Sequence, residues 1–553
     1  MPADIEQLCQ RHEALKSDRS TWDSWCQELG NVVSPRKAEI TTKNTTPSGD
    51  KESRLYNTTA VQCNMTLAHG QMSYAMPFSE RWFTAEPPAD MAGDDAFRWY
   101  AKCAEIMAAG LATSNFYTEA HEACLDRGAF GTGLIYVEES ITSASGLIFD
   151  AVPCGTYSLA ENSEKLVDTT FRERNMTAVQ LAQEFGEAKL PKKIADALAD
   201  PKRRNSEKFL VVHAVYPRED RDTLKLDALN MGVASCWFVP GEKHLLREGG
   251  YETNPYLASR YLKWGSEVYG WCPGWQALPA AKQLNMLERL MDGMAEVALY
   301  PRMLIPSTLE GVVGMGAGEV TIYNPFQNAK PETWGVNTSD FRAGIERLQR
   351  REQEIKDAYH YDLFRMFSQL DKQMTAREVA ERATEKLVLF SPTFVRMQEE
   401  WLNPLLQRVF RIYMKQMRFP PPPPSVIAQD GEGFHVRPPR ILFTSRVALA
   451  IRSLQSAGFM SLLESLQPML AIDPSVRHVV KIQAAAKGLG RNFGVPEEWM
   501  ASEAEYNGAI QAEQEAMMQQ QQMAMAAQGM TAASKLKPEQ INAVASALGG
   551  KAA

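Results

Sequence analysis

The stretch from Gln369 to Gln416, QLDKQMTAREVAERATEKLVLFSPTFVRMQEEWLNPLLQRVFRIYMKQ, decides how this chain is read. It opens on a short polar loop, Gln369-Leu370-Asp371-Lys372-Gln373, set between two long helical patterns. Thr375, followed three positions later by Glu378, makes a capping box in which each side chain satisfies a backbone N–H of the other. The helix it starts runs to Phe390. Ser391-Pro392 then stops it and restarts another, with proline in the first turn, where its missing N–H removes no hydrogen bond. Phe394, Trp401, Leu405, Val409 and Ile412 recur at helical spacing and predict one buried face; Pro404 among them predicts a kink.

This order of loop, Thr-Ala-x-Glu start, helix, Asn403-Pro404-Leu405-Leu406 and helix resembles the head-to-tail connector (portal) proteins of short-tailed bacteriophages. The N-terminal part fits the same pattern. A helix predicted from about Arg54 to Met76 leads into Pro77 and the Trp82-Phe83 pair, and Gly128-Ala129-Phe130-Gly131-Thr132-Gly133 steps from helix to strand. Taken as chemistry, those glycines could cradle a phosphate. A phosphate loop runs strand, glycines, helix, however, and here the order is reversed, which leaves a tight turn at positive φ as the plainer reading.

The resemblance implies a mainly helical α+β subunit assembled as a ring. It places N-terminal helices and an α+β wing over 1–275, a first stem helix over 276–300 and a clip over 301–338. A second stem helix then covers 339–368, a tunnel loop 369–374, and long kinked helices returning to the wing 375–445. A helical crown (446–500) and an Ala/Met/Gln-rich barrel or disordered tail (501–553) complete the chain. The implied role is mechanical: a ring at one capsid vertex conducts double-stranded DNA during packaging, retention and ejection. The implied partners are further copies of the chain, as a dodecamer, the terminase large subunit, the major capsid and scaffolding proteins, and tail adaptor or nozzle proteins. No cofactor, metal or membrane is implied, and no enzymatic activity. The expected location is the virion, after assembly in the host cytoplasm.

Composition sets outer limits. At 553 residues the chain exceeds one core and suggests two to four domains. No apolar run approaches the roughly 18 residues that would span a bilayer, and the polar amphipathic start is unlike a signal peptide. The eight cysteines include no C-x-x-C pair and sit mostly in apolar patterns, so reduced, buried thiols are expected. Net charge is −8, which weakens any tight nucleic-acid grip but suits a duplex that must slide. Twelve copies would carry about −96, a repulsive wall to phosphate.

Helices are predicted over 3–29, with Ile5, Leu8, Leu15, Trp22 and Trp25 on the apolar side, and over Asp94–Ala112 and Phe116–Arg127. Residues 31–53 read as a polar loop or arm. Between Tyr136 and Tyr269 strands are predicted at Leu134–Glu138, Gly146–Ala151, Val167–Arg172, Phe209–Tyr216, Ala234–Phe238 and Lys243–Glu248. Short helices at Thr177–Phe185 and Lys192–Ala199 interrupt them, which suggests a small α+β domain.

Two long helices follow. Leu278–Leu299 carries Leu284, Leu287, Leu290, Met294 and Val297 on one stripe, and Phe341–Phe367 carries Phe341, Ile345, Leu348, Ile355 and Tyr359. As one helix of 27 residues the second would be about 40 Å long. Its middle, Gln349-Arg350-Arg351-Glu352-Gln353-Glu354, is polar all round, and two readings stand: a solvated helix laced with i,i+4 pairs, or a channel lining. Under the resemblance Arg350, Arg351 and Lys356 face the DNA path, and Gln369, Lys372 and Gln373 of the tunnel loop touch the duplex through sequence-blind contacts. Lys372 could equally be an ordinary solvated loop lysine. Between the helices, glycines 311, 314, 316 and 318 lack the G-x-x-x-x-G-K-[ST] pattern of a nucleotide loop. By position this excursion is the clip, with Glu310, Glu319, Tyr323 and Lys330 as candidate terminase contacts.

Beyond Met417, Phe419-Pro420-Pro421-Pro422-Pro423-Pro424 reads as a stiff spacer, or as a ligand for a peptide-binding domain. A strand at Ile441–Thr444 and a helical region over Val447–Leu489 follow. The chain ends in a Met- and Gln-rich tail that reads as a long helix or a low-complexity end. No H-E-x-x-H, G-x-S-x-G or Walker pair is present, and Glu138-Glu139 and Glu399-Glu400 read as solvated surface. The alternatives to a conduit are a helical scaffold or adaptor that conducts no DNA, and a hydrolase without a recognisable motif.

Overall fold

The computed structural model describes residues 4–42, 55–299, 302–305, 332–334, 338–365, 390–445 and 499–533, a few single positions within these ranges excepted, together with isolated positions over 448–490. The first helix, α1 (Ile5–Val33), starts where the Asp4 carboxylate accepts the Glu6 N–H at 2.9 Å and stops just short of Pro35. It therefore takes in the first residues of the expected 31–53 loop. The next helix, α2 (Thr59–Ala75), begins later than the pattern predicts. Asn57 accepts the Thr59 N–H, while Asn285 from a distant helix takes the N–H groups of Tyr56 and Asn57, so 55–58 is held out of the helix.

A short strand, β1 (Phe83–Glu86), precedes the helices α3 (Asp94–Thr113) and α4 (Phe116–Phe130). α4 ends on Gly131 at φ 87°, and β2 (Thr132–Glu139) departs at once. A Cβ at Gly131 would lie 1.9 Å from the Gly270 carbonyl oxygen, so both conformation and space demand glycine. The turn reading of 128–133 holds, in the helix-to-strand order expected.

The β-rich region that follows consists of β3 (Leu147–Val152), β4 (Tyr157–Glu161), β5 (Val167–Thr177), α5 (Ala178–Phe185), α6 (Lys192–Ala199), β6 (Lys208–Pro217), β7 (Val233–Val239), β8 (His244–Tyr251) and β9 (Tyr256–Arg260). Five strands form an antiparallel sheet in the order β4-β5-β6-β7-β8, and β3-β2-β9 form a second, three-stranded sheet. β4 and β9 were not expected; Tyr157–Glu161 and Tyr256–Arg260 are five residues each with little β-branched content. The two-residue period sorts the large sheet into two cores. Val211 and Trp237 pack with Leu181, Phe185 and Ile194 under α5 and α6, whereas Val212, Cys236 and Phe238 pack with Leu8 and Cys9 of α1. Glu173 pins α1 from below, 2.6 Å from Lys16 and 3.2 Å from His12.

The long helix α7 (Pro273–Leu299) rises from the main core, and β10 (Arg302–Leu304) pairs antiparallel with β11 (Glu332–Trp334). The chain returns through α8 (Thr338–Ala358) and the short α9 (Tyr361–Arg365). After it come α10 (Ser391–Met397), a π-helical turn at Gln398–Leu402 and α11 (Asn403–Lys415). Phe394, Trp401, Leu405, Val409 and Ile412 are all buried, as their spacing predicts. The expected kink at Pro404 takes another form. Proline has no N–H for the Glu400 carbonyl, and the turn before it widens to the π pattern.

The proline run leaves Met417 and bridges to β12 (Ile427–Asp430), which pairs with β13 (Gly433–Val436). Phe419 packs against Trp99, Phe410 and Tyr413, and the Trp99 indole donates to the Pro420 carbonyl at 3.0 Å. The run thus begins tied down on its own chain, as a connector should. The last strand, β14 (Arg440–Phe443), pairs with β1 across more than 350 positions of sequence, Phe83 opposite Phe443, and Trp82 stacks on Phe443. The terminal helix α12 (Glu503–Ala533) starts from a Ser502/Glu505 capping box and settles the tail as helical over that range. Most of the helical region expected over Val447–Leu489 lies outside the described residues. All eight cysteines are free thiols, and seven are buried.

Candidate functional site

Two antiparallel helices, α7 and α8, form a hairpin whose root lies in the main core. α7, with 27 residues, is about 40 Å long, and α8, with 21, about 32 Å. At the root Leu284 of α7 and Ile355, Ala358 and Tyr359 near the end of α8 are buried, and farther out Met291 of α7 is buried against Gly344 of α8. The expected single helix over Phe341–Phe367 is broken here. His360 sits at φ 52°, which ends α8 and starts α9 in a new direction. Phe364 of α9 then lies against Gly70 of α2, where a Cβ would come within 2.1 Å of the ring, and makes ring contacts with Tyr74 and Phe390. The break opens a cleft of about 290 Å³ lined by Lys356, Asp357, His360, Tyr361, Leu363 and Phe390 among others.

The three basic candidates of the hairpin are described, and each has an acidic neighbour on its own helix. Arg350 lies 3.4 Å and Arg351 2.5 Å from Glu354, and Lys356 lies 3.5 Å from Glu352. Arg351 beside it lowers the Glu354 carboxyl below the usual carboxylate range. The middle of α8 therefore sets three cations against two carboxylates, Arg350 and Arg351 sharing Glu354, so most of their charge is offset at close range, and exposed pairs of this kind bind a phosphate weakly. The other candidates, Gln369, Lys372 and Gln373, and Glu310, Glu319, Tyr323 and Lys330, lie outside the described residues, as does the Thr375/Glu378 capping box. The strands β10 and β11 stand at the two ends of the 301–338 excursion and bring them together in register, Arg302 opposite Trp334.

What holds the segment that follows is a set of buried arginines that sequence reading did not single out. Arg260, at the end of β9, donates to both oxygens of Glu400 and to Glu161, which also pairs with Lys263. Its backbone N–H donates to Glu400 as well, at 3.0 Å. Arg127, fully buried in α4, donates to the carbonyls of Thr393 at 2.9 Å and Arg260 at 3.3 Å and lies over the Tyr261 ring. Arg408 of α11 donates to the carbonyls of Val137 at 2.8 Å and Thr253 at 2.7 Å. Glu400 is thus a buried ion-pair partner, not solvated surface; its neighbour Glu399 points to solvent. Glu138, 3.7 Å from Arg408 and accepting from the Tyr136 hydroxyl, is likewise part of this frame. The cue available in the sequence was an arginine amid apolar helix or strand, as in Leu125-Asp126-Arg127-Gly128-Ala129.

The described geometry is therefore a β-rich region and a helical core from which the two long helices α7 and α8 extend side by side, with β10 paired to β11 beyond them. Nothing in it gathers a nucleophile, a base and an oxyanion site, and no described helix is long and apolar enough to cross a membrane. The family model of the bacteriophage head to tail connecting proteins matches residues 6–500, and the chain belongs to that family. It is similar to the portal protein of Salmonella phage epsilon15, 27% identical over 557 residues that cover 98% of each chain. It is also similar to a protein of Bordetella phage BPP-1 described as a probable portal protein, at 28% identity over 85% of this chain and 84% of that one.

Proposed function

We propose that this chain is the subunit of a phage portal: a ring at one capsid vertex through which double-stranded DNA is packaged, retained and ejected. The observation that carries the reading is the likeness to the epsilon15 portal protein over nearly the whole of both chains. In this reading the α7–α8 hairpin is the stem around the DNA path, and Gln369, Lys372 and Gln373 are the loop residues nearest the duplex. The largely offset cations Arg350, Arg351 and Lys356, three against the two carboxylates Glu352 and Glu354, suit a wall past which DNA slides without being held. The 301–338 excursion is the clip. It docks the terminase large subunit during packaging and tail adaptor or nozzle proteins afterwards, with Glu310, Glu319, Tyr323 and Lys330 as candidate contacts. The wing region faces the major capsid and scaffolding proteins. The ring, twelve copies in this reading, assembles in the host cytoplasm and remains in the virion. A scaffold or adaptor that conducts no DNA is disfavoured by a family match that spans wing, stem and the region beyond them.

The test is packaging in a reconstituted system of proheads, terminase and ATP, read as nuclease-protected DNA. Proheads assembled without this chain should protect no genome-length DNA. Lys372→Ala should leave ring incorporation intact and change the packaging rate or the retention of packaged DNA. Normal packaging by proheads that lack the chain would exclude the portal role.

A further inference from the structure

Cys26 and Cys154 stand far apart in sequence and share one buried corner. Cys26 lies on the buried side of α1, and Cys154 lies in the connection from β3 to β4, which crosses from the three-stranded sheet to the five-stranded one. Contacts on either side of the pair bring that connection onto α1. The Arg19 guanidinium, two turns before Cys26 on the same face, reaches the Cys154 sulfur from Nη2 at 3.8 Å. Gly155 lies against Ile40, where an added Cβ would come within 2.9 Å of the Ile40 side chain. Ile40 is fixed in turn by its N–H, which donates to the side chain of Gln27, next to Cys26, at 3.0 Å. The two thiols are within hydrogen-bonding reach of each other, and that contact, with burial, holds the Cys154 thiol well above its usual range.

Beside the pair sits a cation with spare capacity. Arg19 is buried, pairs with Asp23 at 2.6 Å and lies over the Tyr157 and Tyr269 rings. Its Nη1 is buried as well and has no hydrogen-bond acceptor among the described residues. A buried cation favours a negative charge next to it, and the side chain here that can supply one is a thiol. The corner thus keeps Cys154 protonated at rest and supports a thiolate, the species that attacks an oxidant, once a proton leaves.

We propose that Cys26 and Cys154 form a site of oxidative cross-linking whose oxidant is a small hydroperoxide. One thiolate sulfur attacks a peroxide oxygen, the O–O bond breaks, and the sulfur becomes a sulfenic acid while the hydroxide takes up a proton and leaves as water. The second thiol attacks that sulfur and displaces its hydroxyl, which leaves with the thiol proton as a second water. The two sulfurs lose two electrons in all, and the peroxide takes them. The bond closes a loop of about 130 residues and clamps α1 to the junction of the two sheets. A chain folded among reduced thiols and carried out of the cell in a particle meets such an oxidant after release. That timing rests on the portal reading above; the bond itself does not.

The test is hydrogen peroxide on the purified full-length chain, followed by thiol counting after denaturation and by peptide mapping. The count should fall from eight to six, with the peptides of Cys26 and Cys154 joined and two hydrogens lighter. The oxidised chain should melt at a higher temperature than the reduced one, and a reductant should reverse the rise. Cys26→Ser and Cys154→Ser, verified as folded by circular dichroism, should show no such rise. Eight surviving thiols, thiol loss without the joined peptides, or an equal rise in either serine variant would overturn the site. Chain recovered from particles with its thiols blocked should carry the joined peptides, and chain taken from the host cytoplasm should not. If the purified chain forms the bond and neither source carries it, the timing alone is overturned; particles that lack the chain would overturn the portal reading.

Discussion

Replacing Arg260 by Met probes the frame that holds α10 and α11 on the β-rich region. The Arg260 side chain is 2% exposed and that of Glu400 9%. Arg260 donates to Glu400 from Nε at 3.1 Å and from Nη2 at 2.8 Å, to Glu161 from Nη1, and to the carbonyls of Lys165 at 3.1 Å and Val268 at 3.2 Å. Methionine keeps most of the volume and none of these bonds. Removing one partner of a buried ion pair costs about 3–5 kcal/mol because the remaining charge is left uncompensated. Here each carboxylate keeps one cation, Arg396 at 3.0 Å for Glu400 and Lys263 for Glu161, which places the expected loss near the low end, at about 3 kcal/mol. Glu400→Met should likewise destabilise, since it takes the acceptor from the Arg260 Nε and backbone N–H and leaves the guanidinium one carboxylate, Glu161, in place of two. The double variant leaves neither charge facing a missing partner. It should therefore be more stable than the sum of the two losses by about 1–3 kcal/mol. The assay is urea unfolding of the four chains followed by tryptophan fluorescence, Trp401 lying next to Glu400 in the π-helical turn. A loss under about 1 kcal/mol for Arg260→Met, or strictly additive losses, would refute the frame as described.

Three further outcomes follow from single sites. Burial pushes the Asp126 carboxyl up to about 6 even with Lys37 at 2.7 Å, so the fold disfavours its ionised form and stability should fall as pH climbs from about 4 through 6. Asp126→Asn should remove that dependence, and the melting-temperature difference between the two chains, measured from pH 4.5 to 7.5, should grow in the variant's favour by the equivalent of roughly 2 kcal/mol; a pH-independent difference would contradict this. Gly131→Ala must place a Cβ on the Gly270 carbonyl at positive φ and should cost about 3 kcal/mol or more, read as loss of soluble, cooperatively melting protein. Arg350→Ala should shift stability by less than about 0.5 kcal/mol in thermal melts, since among the described residues its ion-pair partner is Glu354, exposed on the same helix; a larger loss would mean that the helix depends on that pair.

The sequence made the periodic parts legible. The buried face of 391–412, the strands rich in Val, Phe and Trp, and the glycine turn at 131 all follow from spacing and side-chain size, as does the existence of the hairpin helices, although of the stripe expected on α7 Leu284 is buried and Leu290 is half exposed. What stayed hidden was set by long-range contact. β1 exists because Phe83–Glu86 finds Arg440–Phe443 far along the chain, and β9 is short, with alanine and serine at its centre. Helical periodicity runs unbroken through Tyr359 and His360, yet packing Phe364 against Gly70 turns the chain there. Glu400 looked solvated because its partners, Arg260 and Arg396, are set by tertiary packing and by the π-helical turn that brings it round. The channel candidates Arg350, Arg351 and Lys356 were legible as a polar helix middle; their pairing with Glu352 and Glu354 follows from the same i,i+3 and i,i+4 spacing.

The account's central claim is that copies of this chain close around a path for DNA. Class-averaged electron microscopy of the purified full-length protein tests it most directly. The prediction is a closed ring with a central hole that admits a B-form duplex, lined by the α7–α8 hairpins. A stable monomer or small open oligomer at high concentration, with no ring in any condition, would contradict it.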